Sequence, residues 1–232
     1  MRVFWSIPPL IFILFGVIAA LNNGISPLIF LSNLTLLCIL FYINTYIHEY
    51  GHVIAAKLVG VRVAGVIIGN GKRAPYGKIV FGIPLLITTS FVGGFTLTGY
   101  IANNYPKLRS AFIFLGGVLL QLILTSACFA LFGIKDFSYL FAGGISISTM
   151  FIVANALEIV LNLFPGHVDS FGVKVPNDGL TLLKLPFLKT KELTESDRQR
   201  YEDLEERIKT ATIELINQRK TKASTPTRNN AD

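Results

Sequence analysis

Apolar residues gather into four long runs, at residues 4–21, 27–59, 108–132 and 137–164. A helix needs about 20 apolar residues to cross a hydrocarbon layer of about 30 Å, so the pattern predicts four membrane-crossing helices. Ala19-Ala20 offers small residues near the end of the first run, as a cleaved signal peptide would. That run is long for a signal peptide and its charged head is only Arg2, so a retained anchor is expected.

Residues 61–100 follow a different rhythm. Residues 61–68 alternate as a strand does, and Gly69-Asn70-Gly71 is a turn signal. Residues 79–100 are apolar enough for a fifth span, yet they are rich in Gly, Thr, Val and Ile and contain Pro84, Gly93 and Gly94. The expectation is two or more strands dipping into the cytoplasmic face. Such backbone is tolerated at membrane depth only where protein or a water-filled cavity surrounds it.

The 232 residues are 52% hydrophobic and 15% charged, which excludes an ordinary soluble domain. Charge is segregated: residues 184–232 hold eleven Lys/Arg and nine Asp/Glu, against ten and five in the preceding 183. The net charge of +7 does not point to nucleic acid, because the basic residues flank apolar runs and form no stripe with aromatic platforms. They fit topology determinants instead. With a cytoplasmic amino terminus, Lys57, Arg62, Lys72, Arg73, Lys78, Lys107, Arg109, Lys174 and the tail all fall inside. Cys38 and Cys128 lie in apolar runs without a CxxC and read as packed thiols. Three parts are expected: a transmembrane domain over 1–188, a cytoplasmic helical tail over 189–222 and a disordered terminus over 223–232. In the tail, Ser196 and Gln199 suit a capping box. Tyr201, Leu204, Ile208, Ala211 and Leu215 make two heptads, which suits a weakly paired or membrane-skimming helix.

Chemistry enters within the second run, at His48-Glu49-Tyr50-Gly51-His52. Residues four apart share a helix face, so His48 and His52 can aim ring nitrogens at one metal. Glu49 lies beside them, where a carboxylate takes a proton from activated water. Helical rise from His52 to Lys57 places the pair roughly 8 Å inside the cytoplasmic end. A catalytic zinc takes three protein ligands, and the chain offers Asp178, Asp169 and His167 after the fourth run. Glu158 is a further intramembrane carboxylate, which must be paired, neutral or functional.

These motifs, taken with Asn162-Leu163-Phe164-Pro165 and Asp178-Gly179, resemble the site-2 protease family of intramembrane zinc metalloproteases. The family carries HExxH on one helix and N-x-x-P followed by D-G on a later one. Ile68-Gly69-Asn70-Gly71 resembles its glycine turn, and Phe91-Val92-Gly93-Gly94-Phe95 its membrane-edge strand. Gly116-Gly117 with Gln121 stands where members have a Gly-Pro and an Asn, and Asn155 precedes Asn162 as in the paired-Asn helix. The resemblance covers roughly residues 28–183. It implies a mainly α, polytopic membrane protein of about four spans with a membrane-associated sheet, a minimal member without inserted peptide-binding or nucleotide-sensing domains. It further implies Zn2+ on His48, His52 and Asp178, Glu49 as general base and Asn162 near the substrate or transition state. The implied partners are a membrane-spanning or membrane-anchored peptide substrate and the lipid bilayer.

Two departures stand out. The interval from Pro165 to Asp178 is longer than in the best-known members, which keeps Asp169 as a rival ligand, and Asn177 replaces the usual Leu. Asp178 is preferred, as an Asp opening an amphipathic turn with Leu180, Leu182 and Leu183. A catalytically silent relative acting as membrane chaperone or scaffold is the alternative class, although the intact His48, Glu49 and His52 speak against it. A metal carrier is weaker still, as the chain has no internal repeat.

Overall fold

Proline and glycine punctuate the observed elements. A computed structural model describes residues 18, 21–22, 26–69, 74–88, 93–98, 106–133, 147–170, 173–187 and 195–224. The first apolar run therefore lies almost wholly outside the described residues, as do 225–232. Helix α1 (Pro27–Leu58) starts on a proline, whose missing N–H costs nothing in a first turn. It ends on Gly60 at φ 74, with Gly60 N–H bonded to Lys57 O and Val61 N–H to Ala56 O, the paired bonds of a Schellman cap. Helix α2 (Pro106–Phe132) repeats the scheme, from a proline to Gly133 at φ 66. Helix α3 (Ile147–Leu163) ends just before Pro165.

Of these, α1 and α2 are long and apolar enough to cross a membrane, while α3 is apolar but has 17 residues. The expected fourth run began at 137, and residues 137–146 lie outside the described part. Large apolar side chains such as Leu28, Ile123, Leu131 and Val160 face outward, as lipid-facing surfaces do.

The stretch after α1 is a sheet and not a fifth span. Strands β1 (Val63–Ile68), β2 (Tyr76–Val80), β3 (Ile83–Ile87) and β4 (Gly94–Thr98) lie in the order β2-β3-β1-β4. β1 runs parallel to β3 and antiparallel to β4. β2 and β3 form a hairpin closed by Phe81 and Gly82, both at positive φ, the geometry that matches strand twist. β4 alternates sides: Phe95 and Leu97 join an apolar core, leaving Gly94, Thr96 and Thr98 for the opposite face.

A second, two-stranded sheet joins β5 (His167–Ser170) to β6 (Val173–Pro176). Short helix α4 (Asp178–Lys184) follows, with a 3-10 turn at Leu185–Phe187. Helix α5 (Glu195–Ser224) makes five helices among the described residues, so the chain is mostly helical with a small sheet.

The chain divides into two compact units. One comprises Met1–Asn44 and Gln121–Ile159; there Leu40, Met150 and Ala154 form the core with Leu36, Leu37, Phe41 and Phe151 around them. In this unit the Gln121 amide donates to a Glu158 carboxylate oxygen at 3.1 Å, both side chains being buried, so Glu158 has a partner. The other unit holds Thr45–Leu120 and Val160–Asp232. Its core joins Ala64, Ile67, Leu86 and Leu97 of the sheet to Ile208 of α5, with Ala211 and Leu215 alongside. Ile208, Ala211 and Leu215 of the tail thus pack on the sheet. Gly65 and Gly77 allow this approach: a Cβ on Gly65 would come within 2.7 Å of Ile208 Cγ2, and one on Gly77 within 3.2 Å of Leu215.

Candidate metal centre

His48 and His52 stand on successive turns of α1, and helical geometry alone stacks them: their Nε2 atoms are 3.1 Å apart, the rings edge to face. Both are buried. His52 Nδ1 lies 2.7 Å from the Ile113 carbonyl of α2. A carbonyl only accepts, so Nδ1 carries the proton and Nε2 keeps its lone pair free, the tautomer that a metal ligand needs.

His48 is seated by glycine. The backbones of α1 and α2 meet at Gly51 and Gly116, where a Cβ on either would strike the other chain. One residue on, a Cβ at Gly117 would lie 2.6–2.7 Å from three atoms of the His48 ring. Glycine at 117 therefore leaves the volume that the imidazole fills.

Asp178 arrives from 130 residues away. Its Oδ2 lies 2.9 Å from His48 Nε2 and 3.2 Å from His52 Nε2. Its placement follows from the residue before it. Asn177, not Asp178, caps α4: Asn177 Oδ1 accepts from Leu180 N–H at 3.0 Å. The same oxygen accepts from Gly166 N–H at 2.9 Å, and Asn177 Nδ2 donates to Phe164 O at 2.7 Å. Asn177 N–H also bonds Gly166 O at 3.0 Å. These bonds tie the start of α4 to the end of α3, with Gly179 pressed against the Leu163 backbone. Asp178 opens the turn as expected, as the first residue of α4, while Asn177 before it is the cap, which leaves the Asp178 carboxylate to face the histidines.

The long interval between Pro165 and Asp178 is accounted for by the β5–β6 hairpin. His167 pairs with Pro176, so the excursion returns to where it left. Asp169 lies on β5 opposite Lys174, and His167 is exposed.

Glu49 is buried beside this cluster, and its carboxylate is gripped by β4. The Thr96 hydroxyl is 2.6 Å from Glu49 Oε2 and 3.1 Å from the Glu49 carbonyl. A Cβ on Gly94 would fall 2.5 Å from Oε1. His48, Glu49 and His52 form a group that could hold a metal ion, with ligand atoms within 4.8 Å of one another. Asn162 on α3 lies 3.4 Å from His48 Nδ1. One pocket is lined by these residues together with Thr96, Thr98, Ile113 and Phe114. Thr96, Asn177 and the Ile113 carbonyl were not singled out as site residues from sequence. The alternation that sends Phe95 and Leu97 into the core was the available signal for Thr96.

No curated protein and no solved structure matches the chain. Residues 36–225 match peptidase family M50, a span that runs from the first turns of α1 through α5 and includes every residue of the cluster. With that match over most of its length, the chain belongs to peptidase family M50, the site-2 protease family of membrane-embedded zinc metalloproteases.

Proposed function

We propose that this chain is an active zinc endopeptidase that hydrolyses peptide bonds of membrane-embedded or membrane-anchored substrates. One observation carries the reading: His48 Nε2, His52 Nε2 and Asp178 Oδ2 lie 2.9–3.2 Å from one another. Three ligands at about 2.0–2.1 Å from a tetrahedral zinc stand about 3.3 Å apart, so the residues fit the ion. His48, His52 and Asp178 would hold it. Zinc in such a site acidifies a water molecule and polarises a carbonyl.

The chain's own residues supply the rest. Glu49 accepts the proton of the attacking water at a carboxylate oxygen, and delivers it to the amide nitrogen as the C–N bond breaks. The Asn162 amide, next to His48, lines the pocket that receives the scissile segment. A helical substrate hides its peptide bonds and has to unwind. β4 is an outer strand of its sheet and borders Glu49, so an extended substrate segment adds to it by main-chain hydrogen bonds.

In this reading the membrane domain spans residues 1–188 with about four helices and the catalytic residues toward the cytoplasm. Residues 189–222 form the cytoplasmic helical part, and both termini are cytoplasmic. The apolar α1 and α2 and the placement of Lys and Arg support that topology.

The test is zinc content and cleavage of a membrane-peptide panel, for the wild type beside Glu49→Gln and Asp178→Asn. Glu49→Gln is expected to keep zinc and lose cleavage, and Asp178→Asn to lose both. Zinc without cleavage in the wild type would move the assignment to a silent scaffold. A wild type that takes up no zinc on reconstitution would reduce the histidine pair to a structural role.

A further inference from the structure

We infer that Thr96 is the positioning residue of the general base, so that the strand which receives substrate also aims Glu49. This deepens the protease reading and rests on it.

Thr96 lies on β4, with its hydroxyl 2.6 Å from Glu49 Oε2. A hydroxyl has one proton, and a carboxylate is the stronger acceptor, so the donation goes to Oε2 in preference to the Glu49 carbonyl at 3.1 Å. The other carboxylate oxygen, Oε1, faces Gly94, where a Cβ would lie at 2.5 Å. The carboxylate is therefore held at one oxygen by Thr96 and given room at the other by Gly94, two residues on one face of one strand.

The far sides of the same strand are otherwise engaged. Phe95 and Leu97 anchor β4 in the core with Ile67 and Ile208, and Thr96 pairs with Val66 of β1. β4 is thus fixed to the sheet along one edge, and among the described residues no strand pairs with its other edge. A peptide adding there would tighten the strand that carries the Thr96 hydroxyl. Docking of substrate and orientation of the proton acceptor then become one event. Thr96 does not touch the reacting atoms; it acts through Glu49.

The experiment compares Thr96→Val, of equal shape without the donor, with Thr96→Ser, which keeps the hydroxyl. The full-length membrane-embedded proteins are assayed for zinc content, kcat and KM on a cleaved membrane peptide. Thr96→Val is expected to keep its zinc and a KM within about twofold, with kcat reduced about 10-fold or more, the scale of a hydrogen bond to a charged group. Thr96→Ser is expected to recover most of kcat. A second reading does not depend on turnover. Infrared difference spectra of 13C-glutamate-labelled protein, each against its Glu49→Gln counterpart, isolate the Glu49 carboxylate band, which should move in Thr96→Val and stay in Thr96→Ser. Unaltered kcat in Thr96→Val, an unmoved band, or a serine variant as slow as the valine one each overturns the inference. A wild type that cleaves nothing overturns the protease reading and, with it, the positioning role.

Discussion

If His48, His52 and Asp178 hold zinc as proposed, adding one methyl group at Gly117 should weaken its binding although every ligand residue is retained. A Cβ there would lie 2.6–2.7 Å from the His48 ring, and ordinary contact begins at 3.4 Å, so the ring and the helix must separate by about 0.8 Å. Two motions provide that. The ring can swing away, but zinc ligands tolerate only about 0.2 Å of displacement, so His48 Nε2 leaves the position from which it meets His52 and Asp178. Alternatively α2 can retreat from α1. That motion opens the Gly51–Gly116 backbone contact and drags away the Ile113 carbonyl that orients His52. Overpacking of this kind costs about 1–3 kcal/mol, so the ring is the softer part and takes most of the shift. Gly117→Ala is expected to fold, to lose about 1 kcal/mol or more of apo stability, and to bind zinc about 10- to 100-fold more weakly, as when a group that orients a ligand is removed. Competition against a colorimetric chelator in detergent, with thermal unfolding of the apo protein beside it, measures both. A Gly117→Ala protein whose zinc affinity stays within threefold of wild type would refute the argument that the glycine makes room for His48.

Three further outcomes follow from the same contacts. Asn177→Ala removes one acceptor for two N–H groups and one donor to Phe164 O, so zinc affinity should fall about 10-fold or more as α4 loosens; wild-type affinity would mean that Asp178 is positioned by something else. Ile208→Ala empties a fully buried site between α5 and the sheet and should cost about 2–5 kcal/mol. Limited proteolysis within α5 reads that loss, and an equally resistant variant would count against the docked tail. Arg62→Ala breaks only the exposed ion pair with Glu205 and should change stability by less than about 1 kcal/mol, a difference that shrinks as added salt screens the pair.

The sequence made several parts of the fold legible because their causes are local. Pro27 and Gly60 bound α1, and Pro106 and Gly133 bound α2, since a missing N–H and a positive φ act within one turn. The strands after α1 were readable from alternation and from a stretch rich in Gly, Thr, Val and Ile that includes Pro84, Gly93 and Gly94. The β5–β6 hairpin was not read: with Lys174 among mixed residues, 167–176 lacks a clean period. Asn177 looked like a departure from pattern, and only its four hydrogen bonds explain why an amide serves there.

The sequence by itself determined that His48 and His52 share a helix face with Glu49 beside them, because 3.6 residues per turn fixes neighbours four apart whatever surrounds the helix. It also determined the tail residues Ile208, Ala211 and Leu215 as one apolar stripe, without saying what the stripe covers. Tertiary structure alone decided that Asp178 meets both imidazoles, that Thr96 holds Glu49, and that the tail closes over the sheet. Those pairs are separated by 130, 47 and more than 100 residues, and no backbone periodicity reaches that far. Their meeting depends on where two glycines let α1 and α2 touch, on a hairpin that returns to its origin, and on one asparagine bridging a helix end to a helix start. Each is a matter of volume and hydrogen-bond closure in three dimensions, which a residue pattern can suggest only after the chain has packed.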